Sequence, residues 1–94
     1  MKTEKSNRKF DLGQVVITCG ASETLHERYI WSALNRHANG DWGELCDEDW
    51  ELNEWSVHHD ARLMSRYRTI DGTCFWIITE WDRSVTTILL PQEY

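Results

Sequence analysis

Cys46, His58, His59 and Asp60 are residue types that hold zinc, or that pair a thiolate with a general base. Their spacing suits neither use. Adjacent histidines diverge on a helix or a strand, the set matches no zinc pattern, and a buried thiol is ordinarily inert. A second cluster, Glu80, Asp82, Arg83 and Ser84, has the carboxylates and the cation that a small hydrolase would use. A hairpin turn in which Arg83 neutralises its neighbouring acids uses the same residues. Asp41 and Glu44 have a plain alternative role as turn and capping groups. No glycine-rich phosphate loop, HExxH or GxSxG occurs. No catalytic residue, metal site or cofactor is therefore expected.

The other chemistry on offer is recognition. Ten Lys and Arg against sixteen Asp and Glu leave a net charge of −6. The charge is segregated: residues 1–9 carry +3, and residues 41–60 hold eight acids with no Lys or Arg. Such a field repels phosphate backbones and anionic lipid, so direct nucleic-acid or membrane binding by the body is disfavoured and a basic protein surface is favoured. The carboxylates expected to form the surface are Asp47, Glu48, Asp49, Glu51 and Glu54, with Trp50, Trp55 and Trp31 as anchors. Six tryptophans in 94 residues exceed what a small two-layer domain easily buries, and Trp81 is a further exposed candidate. Base stacking on single strands also uses aromatics, but it needs a positive groove. Arg62, Arg66 and Arg68 form the only basic stripe of the body, and they could equally pair with the acidic helix.

The elements that must position these groups follow from periodicity. Residues 1–9 read as a flexible basic arm and 10–94 as one domain. The β-branched run ending at Cys19 predicts a strand over 12–19, stopped by Gly20. Ser22 as N-cap and Asn39-Gly40 as a stop predict a helix over 23–38. Its core stripe collects His26, Tyr29, Ile30, Ala33, Leu34 and His37, and Trp31 projects about 130° away from it. Trp42, in the turn-rich connector 40–45, is placed to plug a core edge. Asp47 as N-cap predicts a second helix over 48–59 with two apolar stripes, one through Trp50 and Val57 and the other through Leu52, Trp55 and His59. A single sheet covers only one of them, which leaves homodimerisation through the other as a further option.

Beyond Asp60 the period becomes two. Strands are predicted over 62–70, 73–80 and 85–90, with Asp71-Gly72 as a type I′ hairpin and Pro91 ending the ladder. The expected fold is α+β: a two-layer β-α-α-β-β-β antiparallel sheet with two helices on one face. Three widely spaced cysteines, Cys19, Cys46 and Cys74, without CxxC, suggest free and mostly buried thiols in a reducing cytosol. With no apolar span and no secretory h-region, a cytoplasmic location is expected.

Several segments carry a likeness. Gly40-Asp41-Trp42-Gly43-Glu44-Leu45, Asn53-Glu54, Arg62-Leu63-Met64-Ser65, Tyr67, Asp71-Gly72-Thr73, Trp76 to Glu80 and Asp82 to Tyr94 together resemble a family of short bacterial proteins described as plasmid-related and carried on mobile elements. The likeness runs over about residues 12–94; the chain departs from it in the first helix and at Trp50, Trp55 and Trp81. The family has no catalytic assignment, so no functional residue is carried over. What the resemblance implies is a cytosolic accessory protein of mobile DNA. With the charge map, it leads to the expectation of a non-enzymatic inhibitor of a restriction or CRISPR complex. The alternatives are a plasmid-maintenance or toxin-antitoxin adaptor, and a small hydrolase using Glu80, Asp82 and Arg83.

Overall fold

A computed structural model describes residues 8–94. Of the expected basic arm, residues 1–7 lie outside the described residues. Lys9 belongs to the folded part, since its backbone N–H donates to Ala38 O at 2.8 Å. The elements are β1 (Gln14–Ile17), α1 (Cys19–Thr24), α2 (Glu27–Ala38), α3 (Asp47–Val57), β2 (Leu63–Arg68), β3 (Cys74–Thr79) and β4 (Val85–Leu89), closed by a 3₁₀ turn at Pro91–Glu93. No helix of the described residues is long and apolar enough to cross a membrane.

The α+β class stands, but the sheet is mixed. Its order is β1-β4-β3-β2, with β2, β3 and β4 antiparallel and β1 parallel to β4. Gly13 makes the parallel pairing attainable. It sits at φ 66°, and a Cβ there would lie 2.3 Å from Ser84 O, the acceptor that Gln14 N–H reaches at 2.9 Å. The expected helix over 23–38 is two helices. Leu25 and His26 are both extended, His26 Nδ1 accepts from Arg28 N–H at 3.1 Å, and Thr18, not Ser22, caps α1. His26 is therefore an exposed cap, outside the core stripe. Asp71 has a negative φ, and Thr69 N–H bonds Thr73 O across a three-residue loop with Gly72 alone at positive φ (92°), so the hairpin is not type I′.

Alternate residues of β2, β3 and β4, among them Tyr67, Phe75, Ile77 and Ile88, meet Ala33, Leu34 and Ala38 of α2 and Ala21 of α1. Leu12 and Leu25 close the ends of this core. Only part of the helical layer sits on the sheet face, because α3 lies along the β2 edge. There the Asn53 side chain completes the ladder: Nδ2 donates to Met64 O at 2.7 Å and Oδ1 accepts from Met64 N–H. The next outward-facing residue, Arg66, is served by the connector. Arg66 N–H donates to Trp42 O, and Glu44 N–H donates to Arg66 O at 2.7 Å. Gly43, at φ 78°, permits that approach, since a Cβ would sit 1.9 Å from Arg66 O. The cysteines are free, but Cys19 and Cys46 are exposed and Cys74 is half-buried. Burial was the wrong expectation because Cys46 serves as the N-cap of α3, outside the core, and Cys19 opens α1.

Candidate functional site

Asp47, Glu48 and Asp49 occupy the first turn of α3, where the helix dipole favours negative charge. Farther along, Glu51 and Glu54 gain little from the dipole, and acids spaced three and four apart repel one another. Asn53 and Ser56 are the buried residues of α3, Trp50 and Val57 are half-buried, and Leu52 and Trp55 are exposed at 59% and 52%. At 100° per residue, the outward arc opposite Asn53 runs Asp47, Glu51, Trp55, Glu48, Leu52. Trp55 and Leu52 thus stand among carboxylates. His59 stacks on Trp55, centroids 4.1 Å apart and planes within 5°, and is itself held by a bond to Trp55 O. Among the described residues the ion pairs are Arg36–Asp41 and Arg68–Glu44, and neither involves α3.

The expected site residues divide. Asp47, Glu48, Asp49, Glu51 and Trp55 form the exposed helix surface. Trp50 turns toward the body of the protein. Glu54 is exposed yet accepts the Trp42 indole N–H at 2.7 Å, tying α3 to the wholly buried Trp42, which stacks on Phe10. Trp31, 68% exposed, does not join them. It lines a groove with Val15, Ile17, Leu25 and Leu34 at the β1 edge, across the sheet from α3.

The Glu80–Ser84 cluster is a turn. Arg83, at φ 62°, does not neutralise carboxylates: it donates to the carbonyls of Ala61, Glu80, Trp81 and Ser56, binding the β3–β4 turn to the end of α3. Asp82 accepts from Ser84 N–H and O–H, which together hold its carboxyl below its ordinary range. The basic stripe is partly engaged. Arg68 pairs with Glu44 at 3.1 Å, Arg62 donates to Tyr94 Oη at 2.8 Å, and Arg66 Nε is buried without a partner among the described residues.

Sequence reasoning missed one buried polar line. Thr86 Oγ1 donates to Leu12 O at 2.6 Å, so the 2.7 Å contact between Thr86 and Thr79 must be donated by Thr79. Thr79 Oγ1 then accepts from His37 Nε2–H at 2.9 Å, and the neutral His37 Nδ1 accepts from Ser65 Oγ. Burial first, and the charge of Arg83 second, push His37 down to about 3. Ser and His are the types of a nucleophilic pair. Both are fully buried, so the line is a structural spine from β2 to the approach of β1. The signal for it was His37 within a core stripe opposite strands rich in Ser and Thr.

Comparisons with family models, with curated proteins and with solved structures find no match, so the site rests on its own geometry.

Proposed function

We propose that the protein is a non-enzymatic binding domain whose α3 presents a carboxylate-rich, Trp-anchored surface to a basic protein partner. The observation that carries this reading is the outward arc of α3. Glu48 and Glu51 stand beside exposed Trp55 and Leu52 with no ion-pair partner among the described residues, although their mutual repulsion weakens the helix. An apolar anchor within a charged rim is the composition of a protein-binding hot spot. The spread of carboxylates suits a surface that otherwise handles phosphates. With the likeness to plasmid-related proteins, this supports an inhibitor that occupies the nucleic-acid site of a restriction or CRISPR effector. The hydrolase alternative is not favoured, since Arg83 is committed to backbone carbonyls.

The test is competition: purified effectors are titrated with the protein in the presence of labelled DNA, at low and high salt. DNA is expected to be displaced at low salt and retained at high salt, because screening weakens exposed charge. The Glu48→Lys/Asp49→Lys/Glu51→Lys variant should lose the effect while remaining folded, its melting temperature lowered only by the lost dipole match at positions 48 and 49. Glu54 is left in place because it holds Trp42. Displacement that survives charge reversal would refute the mimic. Binding that is indifferent to salt but lost in Trp55→Ala would support the adaptor reading in its place.

A further inference from the structure

A groove of about 200 Å³ runs between α3 and β2. Its strand residue, Met64, alternates with the core-facing Leu63 and Ser65, so the groove opens on the sheet face away from α2. Leu45, Leu52 and Met64 line it with apolar surface, and Asn53 is spent on the Met64 backbone. The charged side chains on it are Asp49 and Arg62, opposite in sign. Although they share the groove, neither belongs to an ion pair among the described residues. Tyr94, which also lines it, holds them apart. Arg62 Nη1–H donates to Tyr94 Oη at 2.8 Å, and the guanidinium sits 5.2 Å from the Tyr94 ring centroid. Arg62 Nε–H and Nη2–H, like the Asp49 carboxylate, have no partner among the described residues.

We propose that this groove binds a free α-amino acid with an apolar side chain, its ammonium on Asp49, its carboxylate on Arg62 and its side chain against Leu45, Leu52 and Met64. Size and charge both point to that class. The groove is smaller than the roughly 300 Å³ at which drug-sized pockets begin, which limits the ligand to about one residue. A cation alone is opposed by Arg62 and an anion alone by Asp49. A neutral apolar group would shield both charges from water and give neither a partner. A zwitterion on an apolar body answers every group on the groove. Arg62 is prepared for a carboxylate in particular, because Nε–H and Nη2–H form the side-on fork that Arg36 already uses on Asp41, and Nη1 is the nitrogen that Tyr94 takes. The inference stands apart from the partner surface, whose outward arc includes neither Asp49 nor Arg62.

The test is a nitrogen-15 NMR titration of the full chain at pH 6.5, where α-amino groups are protonated. The probes are leucine, 4-methylpentanoate (the same body without the ammonium), leucinamide (without the carboxylate) and glycine (both charges, no side chain). Leucine should shift the Leu52 and Met64 amides and the Arg62 Nε–H to saturation in the millimolar range, since the groove is open to solvent. Each of the other three should bind about tenfold more weakly. Asp49→Asn should lower leucine to the level of 4-methylpentanoate, and Arg62→Gln should lower it to the level of leucinamide. Leucine that shifts none of these signals at its solubility limit overturns the proposal and leaves Asp49 and Arg62 as solvated surface charges. Analogues that bind as well as leucine, or a leucine affinity unmoved in both variants, overturn it in favour of an unselective apolar groove. Arg62→Gln should leave DNA displacement unchanged, so failure of this site and failure of the partner reading are seen separately.

Discussion

Along β2, the outward-facing backbone of Met64 and Arg66 is paired by the chain itself, through the Asn53 amide and the 42–44 connector. Along β1, the corresponding groups of Val15 and Ile17 meet nothing among the described residues, and Trp31 stands exposed beside them. Among the described residues the sheet therefore has one closed edge and one open edge. The closed edge is built from polar groups buried to complete a ladder, and the open one from apolar groups left in water. The difference separates residues retained for folding from residues available for association. Asn53, Gly43 and Trp42 belong to the first kind, while Val15, Val16, Ile17 and Trp31 belong to the second. The outward face of α3 is also of the second kind, carried on the element that closes β2.

The largest expected effect tests the spine that runs between the two edges. His37 is neutral in the fold and becomes protonated only near pH 3, whereas in the unfolded chain it takes a proton near 6.5. Its contribution is thus fully present above 6.5 and lost as pH falls from there toward 3. The slope is about 1.4 kcal/mol per pH unit, or about 4–5 kcal/mol over the window. Asp41, whose carboxyl is lowered chiefly by Arg36, adds its own loss only in the carboxylate range below about pH 4. Urea unfolding at pH 7.5, 6 and 5 therefore isolates His37. The His37→Gln variant should be less stable at pH 7.5 and nearly flat across these points, and a variant slope equal to wild type would refute the assignment. Because the line reaches from Ser65 on β2 to Leu12 ahead of β1, the protection factors of the Arg66 and Val16 amides, taken relative to the intrinsic exchange rate at each pH, should fall together in acid.

Next in size is the opening of the closed edge. Asn53→Ala leaves Met64 N–H and C=O without partners and should cost about 2–4 kcal/mol in urea unfolding. Asn53→Asp keeps the acceptor for Met64 N–H, loses the donor, and should fall between the two. Gly43→Ala drives a Cβ into Arg66 O and should displace the connector, with a loss of similar size. Both changes bare a second edge, so light scattering at high concentration should rise for each of them. A loss under about 0.5 kcal/mol for Asn53→Ala would mean that water closes the edge as well as the side chain does.

How much of this was legible follows from which interactions are local. The β2–β3–β4 meander was readable because alternation and turn residues lie within each segment, and the helical angle of Trp31 pointed it away from the core stripe, though not whether another segment covers it. Strand β1 was readable as a strand, but its parallel partner was not. That pairing depends on Gly13 approaching Ser84, a contact between distant segments that leaves only a glycine as trace. The break between α1 and α2 was hidden because His26 fits a helical stripe as well as it fits a cap. On α3, apolar periodicity correctly marked Trp50 and Val57 as one stripe and Trp55 as another. It gave no weight to Asn53, which packs the helix through hydrogen bonds that hydropathy does not register. The α3 carboxylates were visible as a charge run, and the fold supplied what the run lacked: which of them share an arc with Trp55, and which, like Glu54, are tied to the core.

The smallest expected effect sharpens the contrast between the edges. Trp31→Ala, measured by urea unfolding at low micromolar protein, should change stability by no more than about 0.5 kcal/mol, since most of the ring lies in water. Trp55→Ala should cost slightly more because it also removes the stack on His59. Trp42→Ala, at the closed side and wholly buried, provides the scale at about 3–5 kcal/mol. If Trp31→Ala costs more than about 1.5 kcal/mol in the monomer, the tryptophan is part of the folding core. The open edge would then have no aromatic held in reserve for a partner. A near-neutral result leaves Trp31 as a side chain that the single chain holds in water at the rim of an unpaired strand, where only association removes it from solvent.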